Sequence, residues 1–287
     1  MNLPAKALPP AEHKAHLKGM IHTMKLGCCI GLGGADKLQL LKDIGYQYVE
    51  TSIIESAGAD KAVIDKYCEA LAKSGLKCES SAIRFPSEYN PAGEQTKAQL
   101  DEAYEKFYHD IETTRWLGNE ILVIGAGGVR NYPTDKGYDI KNVYEQLAVV
   151  CAEVISPAAK AFGLTVALEG LRKAESPTFN LTEQSVATAK ASGKDNIKVM
   201  TDFYHISVEG EDMTKFSEFG DMIVHAHIAN PNGRVMPAPG DGANYAPFFD
   251  NLKKAGYNGR LSVEARIQGE FEPTMRAAYE EMMKYVY

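Results

Sequence analysis

The sequence predicts an α/β protein: a single closed (β/α)8 barrel over residues 25–287, preceded by a short N-terminal extension, residues 1–24. Three observations carry that prediction. Apolar, β-rich runs alternate with longer helical patterns from end to end, the mark of repeated βα units around a parallel sheet. Glycine stands shortly before seven of the eight runs, at Gly45, Gly75, Gly118, Gly163, Gly193, Gly220 and Gly256, where each preceding helix has to end in a left-handed cap. No linker or break in composition divides the 287 residues, and one barrel of this kind takes about 250. An open doubly wound sheet is the alternative.

The strands are expected near 25–30, 47–51, 76–81, 120–125, 164–169, 197–202, 222–228 and 261–265. Between them, stretches such as 62–73, 97–116 and 142–161 repeat apolar residues at spacings of three and four, which fits helices with one face on the sheet. Residues 1–24 mix prolines, lysines and His13, His16 and His22 without the apolar core of a signal peptide, so the cytoplasm is the expected compartment.

Composition removes several function classes. A hydrophobic share of 45% with 24% charged residues suits a globular core and leaves no membrane span. A formal charge of −7 disfavours nucleic-acid binding, because phosphate affinity needs a positive field. The five cysteines show no paired CxxC spacing, and we expect them reduced and mostly buried.

In a barrel of this type the chemistry belongs at the carboxyl ends of the strands. Strand five, Leu164-Thr-Val-Ala-Leu-Glu169, closes on Glu169, and strand six closes on Asp202, with His205 three residues beyond. Strand seven carries His225 and His227, and strand eight carries Glu264. Alone, Asp202 and His205 read as a capped turn with a surface histidine. Ligand-type side chains on four consecutive strands read differently. Glu169, Asp202, His227 and Glu264 form an oxygen-rich set with one nitrogen, which suits Mn2+, Mg2+ or Co2+ better than a closed structural zinc site. His225, one pleat deeper, reads as a hydrogen-bonded supporting residue.

This pattern resembles the xylose-isomerase-like TIM barrels of the sugar isomerase and epimerase group, closest in motif to ketose 3-epimerases of the D-tagatose 3-epimerase type. The resemblance covers essentially the whole chain after Met24. It lies in Glu169 with Glu175 six residues on, Asp202-x-x-His205, His225-x-His227 followed by Arg234, and Glu264. It implies that Glu169, Asp202, His227 and Glu264 hold one divalent cation, Mn2+ first with Mg2+, Co2+ or Zn2+ as alternatives. It also implies that Glu175, His205 and Arg234 contact a sugar near its carbonyl, and that the protein is a homodimer or homotetramer. Glu169 and Glu264 are then the catalytic pair, one removing a proton alpha to the carbonyl and the other returning one to an enediolate. The family's Asn-Arg-aromatic segment is replaced by Arg172-Lys173-Ala174, and the stretch from His227 to Arg234 is one residue longer.

Arg84, Arg130, Arg172, Arg234 and Arg266 follow the strands and together point to an anionic or heavily hydroxylated ligand. Gly31-Leu-Gly-Gly34 and Gly125-Ala-Gly-Gly128 lack the lysine of a phosphate-binding P-loop and read as tight loops at the barrel mouth. The runner-up activity is a lyase acting on a keto-sugar or inosose at the same site. A non-catalytic sugar-binding barrel and a nuclease resembling endonuclease IV rank lower, the nuclease because its additional histidines are missing.

Overall fold

The computed structural model describes residues 24–125 and 127–287. The expected extension, including His13, His16 and His22, lies outside the described residues apart from Met24. That residue is buried, and its N–H donates to the Tyr287 carbonyl at 2.9 Å.

Eight parallel strands close into a barrel in chain order: β1 Lys25–Cys29, β2 Tyr48–Ser52, β3 Cys78–Ile83, β4 Ile121–Ile124, β5 Thr165–Leu168, β6 Ile197–Asp202, β7 Ile223–Ile228 and β8 Arg260–Val263. Strand β1 pairs with both β2 and β8, so the sheet has no edge and the open alternative falls away. Each predicted strand is present. The largest offset is in β3, which starts two residues later than expected and runs on to Ile83.

Alternation along each strand splits the apolar residues into two populations. Leu122, Ile124, Val166, Leu168, Val199, Leu261 and Val263 face outward and pack beneath the helices. Ile121, Val123, Ala167 and Met200 form a separate cluster inside the barrel on the side of β4, β5 and β6. This cluster decides where the polar chemistry sits. Two residues beyond Ala167 on the same face comes Glu169, and two beyond Met200 comes Asp202, so the carboxylates stand directly above an apolar floor.

All seven interstrand glycines have positive φ, as the helix endings require; at Gly75 (φ 69°) the N–H closes on the Leu71 carbonyl at 2.9 Å. The predicted helix 142–161 is interrupted. Its first part, Ile140–Val150, passes through a π turn at Cys151–Ile155 before resuming at Ser156–Ala161. Pro157 supplies the reason, since a proline inside a helix has no N–H to give and crowds the preceding turn.

At the amino-terminal end of the barrel Glu79 accepts from Lys25 Nζ at 2.8 Å and Arg260 Nε at 2.5 Å, tying β3 to β1 and β8. All five cysteines are free thiols, with Cys28, Cys78 and Cys151 buried. Among the described residues no helix is long and apolar enough to cross a membrane.

Candidate active site and metal centre

Glu169 follows β5, Asp202 ends β6, His227 lies near the end of β7, and Glu264 follows β8. One ligand atom from each lies within 4.8 Å of all the others, so the four residues predicted to bind a cation converge on one point. Glu169 Oε1 and Asp202 Oδ2 are buried and have no hydrogen-bond partner. Leaving buried carboxylate oxygens unsatisfied is costly, and a divalent cation among them removes that cost. The donor set therefore fits a hard or borderline divalent ion.

Asp202 also acts as the expected turn cap. Its Oδ1 accepts from the Tyr204 N–H at 2.8 Å, starting the helix Phe203–Glu209, while Oδ2 faces the site 3.6 Å from both His205 Nε2 and Arg234 Nη2. His205 is buried, so the surface-histidine reading is wrong. Burial, then the nearby Arg234 charge, pushes its pKa down to about 3, and the ring is neutral. The Arg172 backbone N–H donates to His205 Nδ1 at 3.1 Å, which leaves the ring proton on Nε2. The site thus contains a neutral N–H donor that has no acceptor in the protein.

Burial, with Glu264 close by, pushes the Glu169 carboxyl up to about 8. Burial would raise Glu264 too, but the hydrogen bond and charge of His227, with Arg234, outweigh it and hold the group down at about 2. Arg234 Nη2 donates to Glu264 Oε2 at 2.5 Å, and Nη1 lies 3.8 Å from Glu175 Oε2. Arg234 itself adopts φ 53°, a left-handed conformation uncommon outside glycine, and follows Gly233 at φ 94°. Glu175 accepts from Arg172 Nε at 2.7 Å. Both guanidinium groups lie over the Tyr204 ring, at 5.3 Å for Arg172 and 5.0 Å for Arg234. His205 and Arg234, expected to contact substrate, therefore lie beside the cluster of four, and Glu175, expected to do the same, lies beside Arg234.

The five arginines divide. Arg172, Arg234 and Arg266 line a cavity of about 440 Å³ with Glu175, Tyr204, Glu264 and Ala265. Arg84 is exposed and lines a different cavity with Glu88, Lys106 and Asp110. Arg130 is fully buried and does not line that cavity; its Nη1 donates to the Glu169 carbonyl at 2.8 Å, it lies 4.9 Å from the Phe179 ring centre, and its Nε and Nη2 have no hydrogen-bond partner. It fixes the backbone from which Glu169 projects. The glycine loops are occupied by the protein itself. Glu55 fills the first, accepting from the Leu32 N–H at 3.0 Å, and a Cβ on Gly125 in the second would overlap the Glu169 carboxylate.

Sequence reasoning missed Glu50. Buried on β2, its Oε2 lies 2.8 Å from His225 Nε2 and accepts from Ser80 Oγ at 2.6 Å and Ser262 Oγ at 2.7 Å. Its Oε1 lies 3.0 Å from His227 Nε2. The supporting role expected of His225 is present, with Glu50 as the group that joins it to His227. The available signal was a carboxylate within an apolar β run, Tyr48-Val-Glu50, but it stands in the middle of β2 and not at a strand end as Glu169 and Glu264 do.

Residues 38–286 match the family described as "Xylose isomerase-like TIM barrel". The chain belongs to that family. Its relatives include a putative hydroxypyruvate isomerase of Streptomyces coelicolor, 33% identical over 127 residues, which are 42% of this chain and 45% of the relative. A D-psicose 3-epimerase of Ruminiclostridium cellulolyticum is 27% identical over 188 residues, 63% of this chain and 62% of the relative. These alignments span less than two thirds of either relative. A crystal structure of a D-psicose 3-epimerase in the presence of D-fructose superposes with a TM-score of 0.74 at 17% identity, covering 90% of this chain and 97% of that one, which shows a shared fold. Within the xylose isomerase-like barrels, then, this chain has sugar epimerases and isomerases as relatives and a candidate metal centre at the carboxyl end of the barrel.

Proposed function

We propose that this chain is a divalent-cation-dependent sugar isomerase or epimerase that removes a proton alpha to a carbonyl, and that its reaction is ketose 3-epimerisation. The observation that carries the reading is the convergence of Glu169, Asp202, His227 and Glu264 with two buried carboxylate oxygens left unpartnered. The chemistry that a bound cation, Mn2+ by first preference, supplies is Lewis-acid polarisation of the substrate carbonyl, which acidifies the neighbouring carbon.

The residues divide the remaining work. Glu169 and Glu264 come from β5 and β8, three strands apart around a ring of eight, and so approach a substrate from nearly opposite sides. One removes the proton at the α-carbon and the other delivers a proton to the opposite face of the enediolate, which inverts that carbon. His205 donates its Nε2 hydrogen to a substrate oxygen. Arg234 and Glu175 bind hydroxyl and carbonyl oxygens beside it. If one carboxylate does both transfers on a single face, the proton moves between adjacent carbons and the result is isomerisation; the similarity to a hydroxypyruvate isomerase supports keeping that outcome open. The same reading makes the protein a homodimer or homotetramer, which light scattering on the purified protein checks.

The test is metal analysis of the purified protein, followed by NMR of D-psicose and L-ribulose in D₂O with the metal stripped and then restored. Metal-dependent deuterium uptake at carbon 3 with appearance of the epimer is the expected result. Uptake with an aldose product would change epimerase to isomerase, and an unsaturated keto product would favour a lyase. Absence of any stoichiometric metal would reject the site.

A further inference from the structure

The geometry points to an anionic substrate: a keto sugar with a carboxylate or phosphate at the end of its chain, met by Arg266. The inference rests on the keto-sugar reading of the site and adds the chemical class of its substrate.

Charge at the mouth of the site is unequal. Three guanidinium groups, Arg172, Arg234 and Arg266, and two carboxylates, Glu175 and Glu264, line the cavity. Arg172 is paired with Glu175 at 2.7 Å, and Arg234 with Glu264 at 2.5 Å. Arg266 is the surplus cation. Among the described residues no carboxylate lies within ion-pair distance of it, and its side chain donates only to the Gly233 carbonyl, one use of five N–H donors. A neutral sugar leaves this charge unmatched; a terminal carboxylate or phosphate accepts two parallel hydrogen bonds from it.

Arg266 is also held in place. Its backbone N–H donates to the Arg234 carbonyl at 2.8 Å, and its carbonyl accepts from the Met236 N–H at 3.2 Å. This pairing of Arg266 with Val235 continues the direction of β8 beyond its last barrel residue. Arg266 therefore follows Glu264 by two residues, beyond the end of β8, and the two line the same cavity. With its carbonyl end at Glu169 and Glu264, the sugar's far end arrives at Arg266.

Arg84 and Arg130 sharpen the inference by their absence from the cavity. The arginine-rich rim foreseen from the sequence is reduced to two guanidinium groups with carboxylate partners and one without. Arg266 is exposed at the rim; a hydroxyl-rich ligand makes no use of an unpaired cation there, whereas a terminal anion does.

The experiment compares a neutral ketohexose with the same sugar carrying a carboxylate and with its phosphate ester at carbon 6, in metal-loaded wild-type protein and in the Arg266→Gln variant. The readouts are deuterium exchange and kcat/KM. Separately, calorimetry measures binding of gluconate and sorbitol 6-phosphate, which lack the reacting carbonyl. We expect wild type to prefer one charged substrate, and Arg266→Gln to reduce the charged-to-neutral ratio of kcat/KM roughly 10- to 100-fold, the range for a charge-assisted hydrogen bond. Binding of the matching inert anion should weaken by a similar factor. Which anion gives the larger effect identifies carboxylate or phosphate. Exchange on the neutral ketose with no advantage for either charged sugar overturns the inference and leaves the proposed function standing, as does a charged-substrate preference that Arg266→Gln leaves unchanged. No exchange on any of the three rejects both.

Discussion

Glu50 Oε1 lies 3.0 Å from His227 Nε2, while the other ring nitrogen, Nδ1, lies 3.2 Å from Glu264 Oε2 and 3.8 Å from Glu169 Oε1. With a cation bound at Nδ1, the carboxylate on β2 would accept the remaining ring proton at Nε2. Supporting carboxylates of this kind set both the tautomer and the basicity of a ligating imidazole. Glu50→Gln, which places an amide where the carboxylate meets four donors or rings, is expected to weaken cation affinity by about 10- to 100-fold. Competition with a chelator measures it, and ¹⁵N NMR of labelled histidine reports the tautomer directly. Unchanged affinity would remove this role from Glu50.

Gly125 is required by Glu169. A Cβ at 125 would overlap the Glu169 carboxylate, whereas one at Gly128 meets nothing within 4 Å. Gly125→Ala should displace Glu169 and cost about 1–3 kcal/mol of stability through overpacking, with loss of turnover. Gly128→Ala is the control in the same loop. Equal turnover in the two variants would show that Glu169 tolerates displacement.

The cluster of Lys25, Glu79 and Arg260 lies at the end of the barrel opposite the site, where a polar network serves stability. Glu79→Gln removes the charge from three charge-assisted bonds to two cations, leaving Arg260 its second partner, Glu120. A loss of about 1–3 kcal/mol is expected, which for a chain of this size lowers Tm by several degrees. kcat on the proposed substrate should not change. A fall in kcat at unchanged Tm would contradict the division between the two ends.

Burial pushes the Glu211 carboxyl up to about 7, although it accepts from the Thr182 N–H at 2.9 Å. In the unfolded chain a glutamate titrates near ~4.3. Between those values the folded protein holds a proton that the unfolded chain releases, so the contribution present below the lower value is lost as pH rises through the upper one. Glu211→Gln keeps an acceptor for Thr182 and cannot ionise. Relative to wild type, its stability should therefore improve from pH 5 to about pH 7 and level off by pH 8 in urea titrations. Parallel curves across that range would refute the assignment.

The barrel and the convergence of Glu169, Asp202, His227 and Glu264 were legible in the sequence because both follow from local rules. Glycine before each strand records where a helix stops, and a terminal carboxylate above a small inward residue, as in Ala167 and Glu169, records which way the side chain points. Glu50 departs from that rule, standing in the middle of β2 two residues beyond the large Tyr48, and it lies 119 residues before Glu169. Arg130 was grouped with the ligand-facing arginines because position after a strand does not reveal whether a loop folds outward or back over its neighbour. Its path to the Glu169 carbonyl is a tertiary fact. The π turn before Pro157 left its cause in the sequence, and a periodic apolar pattern masked it.

The stitching of Arg234, Val235 and Arg266 into one backbone ladder also separates the rim into two inheritable pieces. A mutation that shifts the β7 loop drags Arg266 with it, so that side of the mouth resists gradual change. The loop after β5 has its own internal fastenings, with Asn180 donating to the Leu171 and Ser176 carbonyls at 2.9 Å and 2.7 Å. The loop after β5 can therefore vary in sequence while its backbone path is kept, and the cluster of Glu169, Asp202, His227 and Glu264 stays at the strand ends.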